Sequence, residues 1–156
     1  MKPEGECFPE TGSLMGLDIS KRRIGVAACD EDRLLVTPLL VIRRSGWQAD
    51  LLRLHRIAVE RRIVALVVGY PLNLDGTAGP AAQSRRDLAR KLSEELVLPY
   101  MLQDESLTTD AVRNARREGT LPKPKAGEDD DHHAAAVILM DALSALSRAA
   151  LSRRCR

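Results

Sequence analysis

Aromatic side chains are scarce in this chain: Phe, Tyr and Trp together make up 3% of its 156 residues. Proteins that hold single-stranded nucleic acid by stacking its bases need a platform of such rings, so the composition argues against that mode of binding. The core must instead be aliphatic. The Ala, Val, Ile and Leu that supply most of the apolar residues are typical of helices packed on a buried sheet.

Cysteines and long apolar stretches are also limited. The three cysteines, Cys7, Cys29 and Cys155, are odd in number and lack CxxC spacing, which argues against a disulfide framework or a zinc site and favours reduced thiols in a cytosol. No unbroken apolar run approaches the roughly 20 residues of a membrane helix. The first thirteen residues lack the apolar segment of a secretory signal. We therefore predict a cytoplasmic protein with no membrane partner.

Neither sign of charge is in large excess, because 24 Lys and Arg stand against 22 Asp and Glu and give a net charge of +2. This balance permits nucleic-acid binding without demanding it. The length suits one domain. We predict that domain over residues 14–151, with a disordered N-terminal tail over residues 1–13 and a C-terminal tail over residues 152–156.

The hydrophobic pattern alternates between strand-like and helix-like segments. Short apolar segments over residues 14–18, 24–29 and 34–42 predict an antiparallel meander. Two further strands, over residues 63–68 and 99–102, follow among helices predicted over residues 47–61, 80–96, 108–119 and 131–151. Right-handed crossovers place these later strands parallel to the first. The expected fold is α/β, with a mixed five-stranded sheet flanked by helices.

Acidic residues fall at the ends of two predicted strands. Asp18 closes the first strand and Glu105 follows the fifth, and ligand sites in open α/β sheets lie beyond such ends. Each acid taken singly is more often a solvated turn residue. Asp131 lies four residues before Ala135 and continues the apolar stripe of the last helix, so its carboxylate is predicted to face the sheet.

Three converging carboxylates repel one another unless a cation lies among them. Mg²⁺ or Mn²⁺ suits oxygen ligands of this kind, and two such ions about 4 Å apart can orient a water for phosphodiester displacement. His132 and His133 follow Asp131, but adjacent helical residues diverge by about 100° and do not easily share one zinc site. The pattern therefore favours metal-dependent hydrolysis of nucleic acid.

Four segments resemble the YqgF family in order and spacing: LMGLDISKRRIGVAACD, VVGYPLNLDGTAGP, QDESLTTDAV and DHHAAAVILMDAL. Members of this family are Holliday-junction-resolvase-like proteins, described as nucleases that mature the small-subunit ribosomal RNA precursor. The resemblance implies a ribonuclease-H-like fold and a phosphodiester-cleaving nuclease. It also implies that Asp18, Glu105 and Asp131 are both the catalytic residues and the metal ligands.

The sequence signals for substrate contacts are less specific than those for the three acidic residues. In the second segment Asn73 and Gly76 match the family's loop, where glycine would let backbone N–H groups approach a phosphate, although a plain turn explains it equally well. Four basic residues are predicted to follow the sugar-phosphate backbone. They are Arg22, Arg23, Lys123 and Lys125. Solvated surface charge is the competing interpretation.

Two departures from the family pattern bear on activity: Ser20 replaces a usual Gly and Ser106 a usual Arg. Three hypotheses remain open. The first is a nuclease, acting on the 5′ end of the ribosomal RNA precursor or, as a Holliday-junction resolvase, on branched DNA. The second is a nucleic-acid-binding homologue with weak catalysis. The third, a nucleotide phosphotransferase, needs two domains and is disfavoured by size. The expected partner is nucleic acid, in the context of ribosome assembly, bound by a monomer or homodimer.

Overall fold

The computed structural model describes residues 8–70, 79–104 and 131–154, with the side chains of residues 131, 132 and 151–154 excepted. The helix predicted over residues 108–119 lies outside this part of the chain. The described elements are β1 (Ser13–Ile19), β2 (Arg23–Cys29), β3 (Val36–Arg43), α1 (Trp47–Glu60), β4 (Ile63–Tyr70), α2 (Pro80–Leu96), β5 (Tyr100–Asp104) and α3 (Asp131–Arg154).

The strands form one sheet in the order β3-β2-β1-β4-β5. β1 pairs antiparallel with β2, and β2 pairs antiparallel with β3, whereas β1 pairs parallel with β4 and β4 with β5. The predicted mixed sheet is therefore confirmed. The carboxyl ends of the three parallel strands lie at the same edge of the sheet. The last residues of β1 and β5 therefore both lie at this edge, with β4 between the two strands.

The sheet is covered on both faces because side chains alternate along each strand. Met15 and Leu17 of β1 belong to a buried apolar cluster that includes Leu54 of α1 and Ala89 of α2. Leu14 belongs to a second cluster, on the opposite face, formed with one side of α3. We call these the α1/α2 face and the α3 face. Asp18 is an even-numbered residue of β1 and lies on the α3 face.

The third strand was predicted to begin at Leu34, and this start is wrong by two residues. One carboxylate oxygen of Asp30 accepts hydrogen bonds from the backbone N–H groups of Leu34 (2.8 Å) and Leu35 (3.1 Å). Arg33 adopts a left-handed conformation with φ of 59°. These contacts fold the apolar pair into a turn, because an Asp side chain competes for the N–H groups that a strand would use.

The chain just before β1 contacts the rest of the domain. Phe8 packs against the apolar cluster on the α3 face. The Arg33 guanidinium donates hydrogen bonds to the carbonyls of Pro9 and Gly12, each at 2.8 Å. Phe8, Pro9 and Gly12 belong to the tail predicted over residues 1–13. They are held against the domain by the cluster on the α3 face and by Arg33, which lies in the turn after β2.

Helix α3 includes an 18-residue stretch, His133–Ala150, whose mean hydropathy of 1.2 would suffice for a membrane span by length and composition alone. Its buried residues Ala135, Ile138, Leu139 and Ala142 pack against the sheet. The core helix of a protein passes the same test, and 28% of this stretch is buried inside the structure.

Candidate active site

Asp18 lies near the carboxyl end of the central strand, and both neighbouring strands carry glycine beside it. In register, Asp18 is opposite Gly25 of β2. On the other side, Gly69 follows Val68, the residue of β4 that pairs with Leu17. Both glycines are buried, and neither places a side chain next to the Asp18 carboxylate. Asp18 itself is only partly buried.

A close contact places the start of α3 near this strand. A Cβ added to Gly16 would lie 3.0 Å from the Ala135 carbonyl oxygen and 3.0 Å from the Leu139 Cβ. Asp18 is two residues along the strand from Gly16, about 7 Å. Asp131 is one helical turn before Ala135, about 6 Å. Asp18 along β1 and Asp131 along α3 therefore each lie within about 7 Å of the contact between Gly16 and Ala135.

The carboxyl end of β5 shares this edge of the sheet. Asp104, the last residue of β5, pairs with Tyr70 of β4, and Gly69 pairs with Gln103. Met101 belongs to the cluster on the α3 face, so alternation places the partly buried Gln103 on the face of Asp18. Glu105 follows directly but lies outside the described residues.

The described residues contain no group of three His, Cys, Asp or Glu able to hold a metal ion. That finding leaves the predicted three-carboxylate site untested, because the side chains of Glu105 and Asp131 are not among those described. The site therefore stays a prediction. The same applies to four predicted substrate contacts outside the described ranges, namely Asn73, Gly76, Lys123 and Lys125.

The β1–β2 hairpin shows how Ser20 is accommodated. Its N–H donates to the Arg23 carbonyl at 2.8 Å, and its hydroxyl accepts from the Arg23 N–H at 3.1 Å. The residues with positive φ among those described do not include Ser20, so this position has no conformational need for glycine. The serine instead adds a side-chain hydrogen bond that closes the turn.

The two predicted hairpin cations occupy different positions. Arg22 is exposed at the tip of the turn, and its carbonyl accepts a hydrogen bond of 2.8 Å from the Arg44 N–H. Arg23 begins β2 and pairs in register with Arg43, the last residue of β3. Arg43 has no distinguishing signal in the sequence, because only the pairing register brings it opposite Arg23.

The sheet order, with the acid-bearing strand at its centre and helices on both faces, defines a ribonuclease-H-like protein. Solved structures with this fold include Thermus thermophilus RuvC in complex with a Holliday junction substrate, with a TM-score of 0.55 at 16% identity over 87% of this chain and 96% of that one. A second T. thermophilus RuvC structure gives 0.51 at 14% identity over 85% and 95%. At these identities the likeness establishes the fold alone.

The chain belongs to the RuvX family, described as Holliday junction resolvase, whose family model matches residues 12–145. RuvX is the YqgF family, so the resemblance found in the sequence is confirmed. A Cereibacter sphaeroides relative named "Putative pre-16S rRNA nuclease" is 44% identical over 89% of this chain and 87% of its own length. A Paracoccus denitrificans relative of the same name is 43% identical over 90% and 89%. This membership makes the chain a phosphodiester-cleaving nuclease.

Proposed function

We propose that this nuclease processes the 5′ end of the small-subunit ribosomal RNA precursor, with Asp18, Glu105 and Asp131 as its metal ligands and catalytic residues. The observation that carries the proposal is the placement of Asp18, a carboxylate with glycine beside it on both neighbouring strands, close to where α3 begins. The substrate follows from the relatives named for pre-16S ribosomal RNA. The cellular setting is the cytoplasm, during ribosome assembly.

The residues present fit a hard divalent cation. Three carboxylates provide only oxygen ligands, which Mg²⁺ and Mn²⁺ prefer, and the cation relieves their mutual repulsion. When bound, the metal supplies Lewis-acid stabilisation of the phosphate and lowers the pKa of a water. Asp18 would be one ligand of that ion, and the neighbouring Gly25 and Gly69 place no side chain beside its carboxylate.

The remaining predicted contacts would hold the substrate rather than react with it. Arg22 and Arg23 extend from the hairpin beside Asp18, and Lys123 and Lys125 precede α3 in the chain. Salt-dependent contact with phosphates is the expected role of such cations, while Asn73 and Gly76 offer an amide and backbone N–H groups. The protein would work as a monomer or homodimer.

A second candidate substrate is the four-way DNA junction. The family description names a Holliday junction resolvase, and the T. thermophilus RuvC structure with this fold holds a junction substrate. A phosphodiester-cleaving site accepts either polymer in principle, so the substrate must be decided by assay.

The decisive experiment compares cleavage of precursor RNA and four-way junctions by the wild-type protein and by Asp18→Asn. We expect Mn²⁺-dependent cleavage of the RNA, and a loss of at least about 100-fold in Asp18→Asn, because an amide supplies less charge to the metal than a carboxylate. Asp87→Asn, which removes an exposed carboxylate on α2, is the matched control and should cleave normally. Circular dichroism verifies folding, and calorimetry should show weakened Mn²⁺ binding in Asp18→Asn alone.

Folded wild-type protein that leaves both substrates intact with Mn²⁺ would contradict the proposed function and favour a binding protein without turnover. Cleavage restricted to junctions would instead support the resolvase. Full activity of Asp18→Asn would exclude the proposed metal site.

A further inference from the structure

Two arginines lie directly opposite each other where the antiparallel meander ends. Arg23, the first residue of β2, pairs in register with Arg43, the last residue of β3. Like charges in such a cross-strand pair repel, because their Cβ atoms are only about 5 Å apart. Two positive charges are therefore held side by side at this end of the sheet.

The register also shows which face of the sheet the arginines occupy. Ile24 and Ile42 pair with each other and belong to the α1/α2 core. Because side chains alternate, Arg23 and Arg43 lie on the opposite face, which is the face of Asp18. Asp18 is opposite Gly25, two residues from Arg23. Such a diagonal neighbour is about 7–8 Å away, so the arginine pair lies next to Asp18 on the same face of the sheet.

The next residue, Arg44, has a different, structural role. It donates from Nη1 to the Ser20 carbonyl at 2.9 Å, and its Nε lies 4.0 Å from the Asp50 carboxylate of α1. Its backbone N–H also binds the Arg22 carbonyl. These contacts fix the end of β3 against the hairpin and so fix the backbone positions of both paired arginines.

The pair has two further cations beside it in the hairpin turn, Lys21 and Arg22, and the Asp18 carboxylate on its own face. Lys21, Arg22 and Arg43 are exposed, and Asp50 is buried beside Arg44 on the other face. Within the described part of the chain, the Arg43 guanidinium has no hydrogen bond or ion pair. A guanidinium is suited to bidentate contact with phosphate oxygens, and two of them suit the repeating phosphates of a nucleic-acid backbone.

We propose that Arg23 and Arg43 form a phosphate-binding pair that holds the sugar-phosphate backbone of the bound nucleic acid on the β3 side of Asp18. This inference rests on the proposed function, since it takes Asp18 as the position of cleavage. It adds Arg43 to the substrate contacts and separates it from its structural neighbour Arg44.

The test measures binding of a fluorescein-labelled RNA duplex with a single-stranded overhang, and of a labelled four-way DNA junction, without divalent ions so that cleavage does not intervene. Arg43→Gln is compared with Arg56→Gln, which removes an exposed arginine from α1 on the other side of the sheet. We expect Arg43→Gln to raise Kd roughly five- to tenfold at about 0.1 M salt and to reduce the slope of log Kd against log salt by about 0.7 to 0.9, the value for one lost phosphate contact. Arg56→Gln should change Kd less than about twofold.

Equal affinities and salt slopes for Arg43→Gln and Arg56→Gln would overturn the inference, provided that thermal unfolding shows both variants folded. The melting temperature of Arg43→Gln should not fall, because within the described residues the Arg43 guanidinium makes no hydrogen bond or ion pair that the substitution would remove. A parallel loss of affinity for RNA and junction supports recognition of the backbone they share.

Failure of this inference can be told apart from failure of the proposed function. Wild-type cleavage of precursor RNA combined with unchanged binding by Arg43→Gln would refute the arginine pair alone. Weakened binding by Arg43→Gln in a protein that cleaves neither substrate would support the pair and refute the proposed function. If the wild-type protein bound an acidic protein more tightly than either nucleic acid, the assignment of nucleic acid as the partner of the arginine pair would be refuted.

Discussion

Cys29 illustrates how one position in the sheet determines the chemistry of a side chain. It ends β2 with 6% of its surface exposed, and its Sγ accepts a hydrogen bond of 3.2 Å from the Leu14 N–H. Burial raises the pKa of the Cys29 thiol above its ordinary value of 9.0, and the Leu14 hydrogen bond opposes this only in part. The protonated thiol is therefore a core group rather than a nucleophile.

The raised pKa predicts a loss of stability in alkali. Between 9.0 and the higher folded pKa, the unfolded chain has released the thiol proton while the folded chain still holds it, so the free energy of unfolding falls as pH rises. Below pH 9 this group adds no pH dependence. Urea unfolding at pH 7 and pH 10, with reductant present, should show a smaller alkaline loss in Cys29→Ala than in the wild type, by at most about 1.4 kcal/mol. Identical losses would contradict the assignment.

At the scale of elements, the contact between β1 and α3 is the tightest constraint on the site. Gly16 leaves no space for a side chain, since a Cβ there would meet both the backbone and a side chain of α3 at 3.0 Å. Ala135 and Leu139 are fully buried, so the helix cannot move away without disturbing its whole core face. The distance between strand and helix thus depends on the absence of one methyl group.

Gly16→Ala should therefore weaken both stability and activity. We expect a loss of about 1–3 kcal/mol in the free energy of unfolding from overpacking. Cleavage should also fall, because displacement of α3 moves Asp131 relative to Asp18. Gly46→Ala is the matched control: nothing lies within 4 Å of the added Cβ, so it should cost less than about 1 kcal/mol, the value of a helix cap, and leave cleavage unchanged. Equal effects of the two substitutions on cleavage would argue against the positional role.

At the scale of the whole molecule, two helical layers share a single sheet. Along β1 and β4, alternate residues pack against opposite helical layers. In β4, for example, Leu66 belongs to the α1/α2 cluster and Val67 belongs to the α3 cluster. Loss of either layer would expose an entire apolar face of the same strands. We therefore expect the described elements to unfold cooperatively.

The single tryptophan provides a test of this cooperativity. Trp47 begins α1, packs against the α1/α2 cluster and lies beneath the Lys91 ammonium, 4.4 Å from its ring centre, whereas Leu139 is fully buried on the other face. Leu139→Ala should cost about 2–5 kcal/mol through the cavity it leaves. Denaturation followed by Trp47 fluorescence and by far-ultraviolet circular dichroism should shift by the same amount. Loss of helical signal before any change in fluorescence would show that α3 unfolds alone.

Local sequence patterns were sufficient for most of the described elements. Alternation and helical periodicity located the five strands and the helices α1, α2 and α3, and the family resemblance identified the fold that the sheet order confirms. The start of β3 was missed because the Asp30 side chain captures the N–H groups of Leu34 and Leu35. Hydrophobicity alone does not reveal that competition.

The sequence by itself determined which residues are apolar, where chain direction changes, and that Asp18 lies near the end of a strand. Only the tertiary structure decided that Gly25 and Gly69 lie on either side of Asp18, that Gly16 contacts α3, and that Arg23 is opposite Arg43. The physical reason is that periodicity is a property of neighbouring residues. Register and close packing arise when segments far apart in the chain are brought together, and a shift of one residue would move every side chain of a strand to the other face.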